Sequence, residues 1–488
     1  MNFNSGAFLI FLPVVVLVYW FLPARFRWVW LLSASYFFYM YWNPALVVLL
    51  LLTTAVSYSS ALAMMRWPRL KRALLVLTLL VCLGVLIYFK YANFLLQSVL
   101  HVVNGAAGGE WSFTIDVLLP VGISFYTFQT LSYVIDVYRG DFPAERHFGY
   151  YALFVVFFPQ LVAGPIENPR NLLPQLRREG RWDREDFRAG GRLLLCGFFR
   201  KCVVADTCGV FVNRVFASPE AANGLAILCA GALFCLQMYN DFAGYSEIAA
   251  GSARLMGIRL TRNFDRPYLS QSYTEFFRRW HISLNQWFTQ YVYIPLGGSR
   301  KGLGRKLLNT VIVFSLCGLW HGAKWTYLLW GLYAAFWVCL ESLLKRPARR
   351  MAEHRNIDLA DPVVKLVRRM GAFAVFIPAA LLFRADGVGQ AGVLLGRLFT
   401  AWSFAGGQIA DCFALLQMGG LELLFLALCI VTMSRLSLWG QYDLPRAPSP
   451  DASARRTAAA ACLVTAVALC WLSLLATQDA AGFAYFQF

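Results

Sequence analysis

The apolar residues of this chain come in blocks rather than stripes, and that arrangement decides most of what it can fold into. Blocks run at 7–21, 28–41, 45–63, 74–88, 117–137, 150–162, 193–204, 225–239, 307–320, 325–344, 372–383, 421–433 and 458–476. A soluble chain of 488 residues would set charged faces between its apolar positions, whereas here 59% of residues are hydrophobic and 14% charged. A hydrocarbon core about 30 Å thick takes roughly 20 apolar residues per helical crossing. The blocks therefore predict an all-α polytopic membrane protein. Several fall short of a crossing, which predicts a bundle of about ten to thirteen helices, some re-entrant or interfacial. The first block has no cleavage site and more blocks follow it, so it reads as an anchor.

The formal charge of +18 sits in short loops at 66–72, 170–188, 300–306, 345–355 and 455–456. That is the positive-inside pattern of cytoplasmic loops rather than a nucleic-acid footprint. It places Met1 outside, Arg25 and Arg27 inside, "WNPA" (42–45) at an outer turn and "RWPRLKR" (66–72) back in the cytoplasm. Arg455 and Arg456 precede the last block, so the C-terminus is expected on the outer side of the membrane. The twelve cysteines lie mostly in apolar segments with no C-x-x-C pair and no zinc spacing, so neither a disulfide framework nor a metal site is expected. With no internal repeat and no separable soluble region, 1–488 reads as one integral membrane domain.

Taken as one helix, 273–291 puts Tyr273, Phe276, Phe277, Trp280, Leu284, Trp287 and Phe288 on a single apolar arc. Glu275, Arg279, Gln286 and Thr289 fall opposite, with Glu275 and Arg279 four apart, and His281 lies at the border beside Arg278 and Asn285. This predicts an amphipathic helix at a membrane interface. Its histidine reads either as a functional imidazole or as one that only bonds a neighbour. His321 is sharper. Fourteen apolar-dominated residues, 307–320, run straight into it and cover roughly 21 Å, short of a full crossing. An ionisable residue at that depth is a functional-site hypothesis by default, because an imidazole kept neutral there can accept a proton. Asp136, Asp241 and Glu247 also stand in apolar surroundings. Unpaired they would be very costly, so they are expected to pair with a cation or to orient the imidazole.

Five stretches together carry a resemblance: "PVGISFYTFQTLSYVIDVYRG" (120–140), "FFPQLVAGPI" (157–166), "YNDFAGYSEIA" (239–249), "NFDRPYLSQSYTEFFRRWHISLNQWFTQYVYIPLGGSR" (263–300) and "CGLWHGAKWTYLLWG" (317–331). The chain resembles the membrane-bound O-acyltransferase family, densely over 120–332. The nearest branch is the bacterial one with the membrane subunits of alginate and peptidoglycan O-acetylation. The proteins of teichoic acid D-alanylation are more distant. The family's R-R-W-H-I-S-L and W-H-G elements carry two functional histidines, which fall on His281 and His321. Thr289-Gln290 departs from the Arg-Asp usual in relatives, and "WGLYAAF" lacks a histidine common after that Trp-Gly.

The resemblance implies a helical bundle around a central tunnel, and an acyl thioester donor, acetyl-CoA, arriving from the cytoplasm with no bound cofactor. His321 would be the general base and His281 would position or polarise the reactants, with Asp241, Asn285 and Trp320 in support and Arg278 or Arg279 meeting donor phosphates. The terminal "FAYFQF" (483–488) resembles a motif whose tyrosine carries the acyl group outward, which makes Tyr485 the carrier. The chain has no G-x-S-x-G elbow, so an extracytoplasmic SGNH-hydrolase-like acetyltransferase partner would complete transfer to an exported or cell-wall polysaccharide. D-alanyl transfer, a secondary transporter and a non-catalytic scaffold are the alternatives.

Overall fold

The computed structural model of the chain describes residues 1–162, 164–403, 407–439 and 465–469. All regular structure among them is helical. The chain forms α1 (Gly6–Phe21), α2 (Ala24–Met40), α3 (Val47–Arg66), α4 (Lys71–Ala107), α5 (Ile123–Arg139), α6 (Phe148–Val156), α7 (Phe158–Leu161), α8 (Pro169–Arg177), α9 (Arg184–Phe198) and α10 (Asp206–Ala217). It continues through α11 (Gly224–Leu255), α12 (Tyr273–Arg279), α13 (Ile282–Phe288), α14 (Leu303–His321), α15 (Trp325–His354), α16 (Pro362–Arg384), α17 (Val388–Thr400), α18 (Gln408–Leu416) and α19 (Gly420–Trp439).

Six helices among the described residues are long and apolar enough to cross a membrane: Pro44–Arg66, Pro68–Ala107, Gly224–Leu255, Leu303–His321, Trp325–His354 and Pro362–Arg384. The pair Gln408–Leu416 and Gly420–Thr432, bent by 75°, makes a seventh if counted as one span. The polytopic all-α class is as expected, but fewer blocks reach crossing length than the sequence suggested. The block at 150–162 breaks into α6 and α7, and that at 193–204 runs from α9 into a π-turn, Phe199–Ala205. The last block, 458–476, lies largely outside the described residues.

The helices cluster into two compact units, Met1–Gly190 with Ala249–Thr261, and Gly191–Ile248 with Arg262–Phe488. In the first, α3, α4 and α5 pack on one another and α6 packs on α2 and α8. The α6–α7 break falls at Phe157 (φ −49°, ψ 109°), two residues before Pro159, whose ring cannot follow a helical turn. The carbonyl of Phe154 then needs other partners, and the buried amides of Gln129 (2.6 Å) and Gln160 (2.7 Å) both donate to it. The basic 170–188 segment is tied down by Asp136, one of the acids the sequence places in apolar surroundings, and by two acids further on. Arg170 bridges Asp136 at 3.2 Å and Asp141 at 3.1 Å, and Arg177 pairs with the buried Glu145.

In the second unit the π-turn buries Arg200 and Lys201, each beside a carboxylate of α11. Arg200 pairs with Glu247 at 3.0 Å and donates to Asn240 at 3.0 Å. Lys201 meets Asp206 at 2.7 Å and Asp241 at 2.9 Å. Asp241 and Glu247 are thus scaffold charges, neutralised in place. Next to them α9 and α11 touch through glycine. A methyl on Gly197 would meet the Gly244 carbonyl at 2.7 Å, and a methyl on Gly244 would meet the Gly197 carbonyl at 2.7 Å. All ten cysteines among the described residues are free thiols.

Glu167, in the loop before α8, is fully buried and accepts from Asn171 Nδ2 (2.6 Å), Thr261 Oγ1 (3.1 Å) and the Thr261 backbone N–H. Burial outweighs those bonds and pushes its carboxyl up to about 7. The raised acid holds its proton in the folded state while the unfolded carboxyl ionises, so its contribution to stability falls as pH rises from about 4.5 to about 7. Between pH 5 and 8 the wild type is expected to lose about 2–3 kcal/mol relative to Glu167→Gln. Paired thermal melts in detergent check this, and a pH-independent gap between the two proteins contradicts it.

Candidate active site

The segment 273–291 is not one helix. It breaks at Trp280 and His281 into α12 and α13, and a second π-turn, Thr289–Tyr293, follows. The apolar arc is as expected: Tyr273, Phe276, Phe277, Trp280, Leu284, Trp287 and Phe288 are all buried. Glu275 and Arg279 form the expected pair at 2.7 Å. The arc packs on protein, with Phe276 against Phe376 of α16 and Phe277 edge-on to Phe314 of α14. Phe276 and Phe376 have ring centroids 4.3 Å apart.

α12 starts where side chains supply its missing partners. Ser272 Oγ accepts the Glu275 N–H at 3.0 Å, and Glu341 of α15 accepts the N–H of Thr274 at 2.8 Å and its hydroxyl at 2.6 Å. The helix ends where Trp280 turns extended, φ −106° and ψ 128°, and His281 then adopts the left-handed conformation, φ 43° and ψ 57°. A residue with a Cβ costs about 1–2 kcal/mol there, and glycine would sit without strain. The chain nonetheless places a histidine at the joint, which points to a need for the side chain itself. Asn285 ties the two halves together: its amide donates to the Phe277 carbonyl and its N–H to the His281 carbonyl at 3.0 Å.

The imidazole is 2% exposed, and neither ring nitrogen has a hydrogen-bond partner. The ring stands edge-on to Phe242 of α11 at 4.6 Å and 5.7 Å from the Trp320 ring. Burial holds it neutral, well below the ordinary histidine range, and nearby His321 adds to that.

His321 is the last residue of α14, where the sequence put the end of the apolar run. Its ring lies 5.1 Å from Trp320, 5.3 Å from Trp330 and 5.1 Å from Phe383, and Cys317 Sγ is 3.9 Å from its Nε2. α14 and α15 form a hairpin brought close by glycine. A methyl on Gly318 would sit 2.2 Å from the Tyr327 carbonyl, and one on Gly331 2.3 Å from the Phe314 carbonyl. With little hydrophobic drive between helices in lipid, such backbone approach is what packs them.

The two histidines face one cavity of about 30 Å³, lined also by Phe277, Asn285, Cys317 and Trp330, which is room for a water molecule. Its chemistry is that of two imidazoles in an aromatic box: one proton acceptor, one group able to donate N–H to a carbonyl oxygen, and walls that keep the local dielectric low. Trp320 packs against both rings. Asp241 is instead in the ion pair with Lys201. Phe242, Cys317, Trp330 and Phe383 were not singled out from the sequence, because an aromatic or thiol in an apolar block carries no signal of its neighbour. Tyr485 lies outside the described residues.

A larger cavity, about 790 Å³, opens between α12, α15 and α16. Its lining combines Arg278, Lys306, Lys345 and Arg368 with an apolar wall that includes Trp337 and Leu344. The sequence left Arg278 and Arg279 equivalent, and the structure separates them. Arg278 lines the cavity, while Arg279 is held by Glu275 and by the Asp265 carbonyl at 3.4 Å. No cluster of metal-ligating groups exists among the described residues.

Comparison with known proteins gives the family. Residues 146–378 match the model of the MBOAT, membrane-bound O-acyltransferase family. The chain is 36% identical to the probable alginate O-acetylase AlgI of Azotobacter vinelandii, over 93% of this chain and 88% of the relative. It is 33% identical to the peptidoglycan O-acetyltransferase of Helicobacter pylori, over 68% of each chain. The teichoic acid D-alanyltransferase of Bacillus subtilis is more distant, at 26% over 44% of this chain and 57% of the relative.

Because Gly318 sits one turn before His321 and touches the facing backbone, Gly318→Ala is expected to cost about 1–3 kcal/mol through overpacking and to displace the imidazole. Thermal unfolding in detergent measures the first effect. An unchanged melting temperature would mean that the hairpin has slack.

Proposed function

The chain belongs to the membrane-bound O-acyltransferase family, and from that premise we propose that it passes an acetyl group from a cytoplasmic thioester, acetyl-CoA, to its own Tyr485 for export. The observation that carries this reading is the pair of histidines facing one aromatic cavity. A passive scaffold has no use for two imidazoles in a space the size of a water, and a transporter would not need a terminal tyrosine as well.

In the proposed step His321 takes the phenolic proton of Tyr485, whose unperturbed pKa of about 10 leaves it protonated near neutrality. The phenolate oxygen attacks the thioester carbonyl carbon. An O–C bond forms, the C–S bond breaks, and the thiolate leaves with the proton that His321 held. His281, neutral and without another hydrogen-bond partner, donates N–H to the carbonyl oxygen as negative charge gathers there. A neutral imidazole suits this electrophilic role. Asn285 and Trp320 hold the two rings in place. The 790 Å³ cavity beside α12, with Arg278, Lys306, Lys345 and Arg368 on its lining, supports a donor-side site, because guanidinium and ammonium groups match donor phosphates.

Tyr485 would then present its acetyl ester outside the inner membrane. An SGNH-hydrolase-like partner would move it to a hydroxyl of an exported or cell-wall polysaccharide, alginate and peptidoglycan being the polymers named for the relatives.

Purified protein in liposomes, incubated with labelled acetyl-CoA, is expected to carry label on the C-terminal peptide. Removal of a general base costs about 10²–10⁴-fold, so labelling should fall by that much in His321→Ala and vanish in Tyr485→Phe. Full labelling in His321→Ala would overturn the base, and an unlabelled wild type would overturn the carrier. Label from a D-alanyl thioester alone would move the chain to the D-alanylation branch.

A further inference from the structure

An imidazole with a catalytic duty is normally aimed by a hydrogen bond to its far nitrogen, from a carboxylate or a carbonyl. His281 has none on either nitrogen. Its direction therefore comes from its backbone and from the rings of Phe242 and Trp320 against it. That backbone is left-handed, so something must hold it there.

The holding contacts converge on Asn263. The segment 263–265 runs beside the joint and bonds to it on both sides: Asp265 N–H donates to the Arg279 carbonyl at 2.9 Å, and Ile282 N–H donates to the Asn263 carbonyl at 2.9 Å. The Asn263 side chain adds more. Its Oδ1 accepts the Ser283 hydroxyl at 2.6 Å and the Ser283 N–H at 3.3 Å, while its Nδ2 donates to Ser246 Oγ of α11 at 3.2 Å. Asn263 is 1% exposed, so these bonds are not shared with solvent. Ser246 is four residues along α11 from Phe242, the residue that meets the imidazole edge. One face of α11 thus locates both the ring and the amide that fixes the backbone beneath it.

We propose that Asn263 is the positioning residue of the active site, holding His281 in the left-handed conformation that turns its imidazole into the shared cavity. The role rests on the acyl-transfer reading for its consequence, but its geometry does not. Asparagine serves because the position must bond both Ser283 and Ser246; alanine bonds neither. Asn263→Asp keeps the acceptor for Ser283, and the Ser246 hydroxyl can turn to donate in place of accepting.

The test is histidine-selective NMR on the full chain in detergent, where five histidines give few signals and His281→Gln assigns the one in question. In the wild type the His281 ring is expected to stay neutral from pH 5.5 to 8. In Asn263→Ala its signals are expected to shift and to titrate near the ordinary value of about 6.5, and in Asn263→Asp to return toward wild type. Acetyl transfer from acetyl-CoA should fall at least about tenfold in kcat in Asn263→Ala, with KM within about twofold because the donor cavity is untouched. Unchanged His281 signals in Asn263→Ala overturn the proposal, whatever the activity. If that variant does not fold, Ser283→Ala removes a single partner and should still move the same signals; if it does not, the proposal fails. Full turnover in His281→Ala would instead refute the role given to His281, and the NMR result would stand apart from it.

Discussion

A backbone that leaves the helix inside an apolar environment must find partners for every amide it frees, because no water is there to take them. That constraint shapes this molecule more than any single contact. The chain breaks helices in order to bring side chains to one point, and each break carries its own repair. At Phe157 the freed Phe154 carbonyl receives two glutamine amides. At His281 the repair is shared among the 263–265 segment, Ser283 and Asn285. The buried asparagines and glutamines look out of place in composition, yet they are what permits irregular backbone there at all.

Charge obeys the same logic. The cations of the π-turn and the acids of α11 lie close enough to neutralise one another, and the basic helix α8 is anchored by Asp136 and Glu145. These pairs hold elements in register at high cost if either partner is lost. The site itself asks little of them: the aromatic box around the imidazoles contains no fixed charge, and burial there keeps the His281 ring neutral.

Much of this was legible in the sequence. Block length gave the class, the fourteen-residue run before His321 gave its place at a helix end, and the heptad-like spacing of Phe276, Phe277, Trp280, Leu284, Trp287 and Phe288 gave the buried arc. The joint within that arc was not legible. Nothing in "FRRWHISLN" breaks a helix by propensity, since the left-handed turn is imposed by Asn263 and Asp265, which belong to another segment. Periodicity continues across such a joint almost unchanged, so an amphipathic pattern hid two helices and a corner. The α6–α7 break has a local cause, Pro159, although 150–162 reads as one apolar block. Arg278 and Arg279 show the same limit from another side: adjacent residues of one type face a cavity and an ion pair respectively, and only tertiary structure says which.

The glycine contact at Gly318 has one more consequence, which concerns counting. Where two backbones touch, a helix can neither slide nor rotate, so Gly318 serves as a datum for everything after it on α14. His321 stands three residues beyond, and each residue advances a helix by about 100°. Inserting or deleting one residue between them would leave composition and hydropathy intact while swinging the imidazole away from the cavity. Past the helix end, the same change would alter only the turn leading into α15. This part of the chain is thus held to a fixed residue count, and its loops are not.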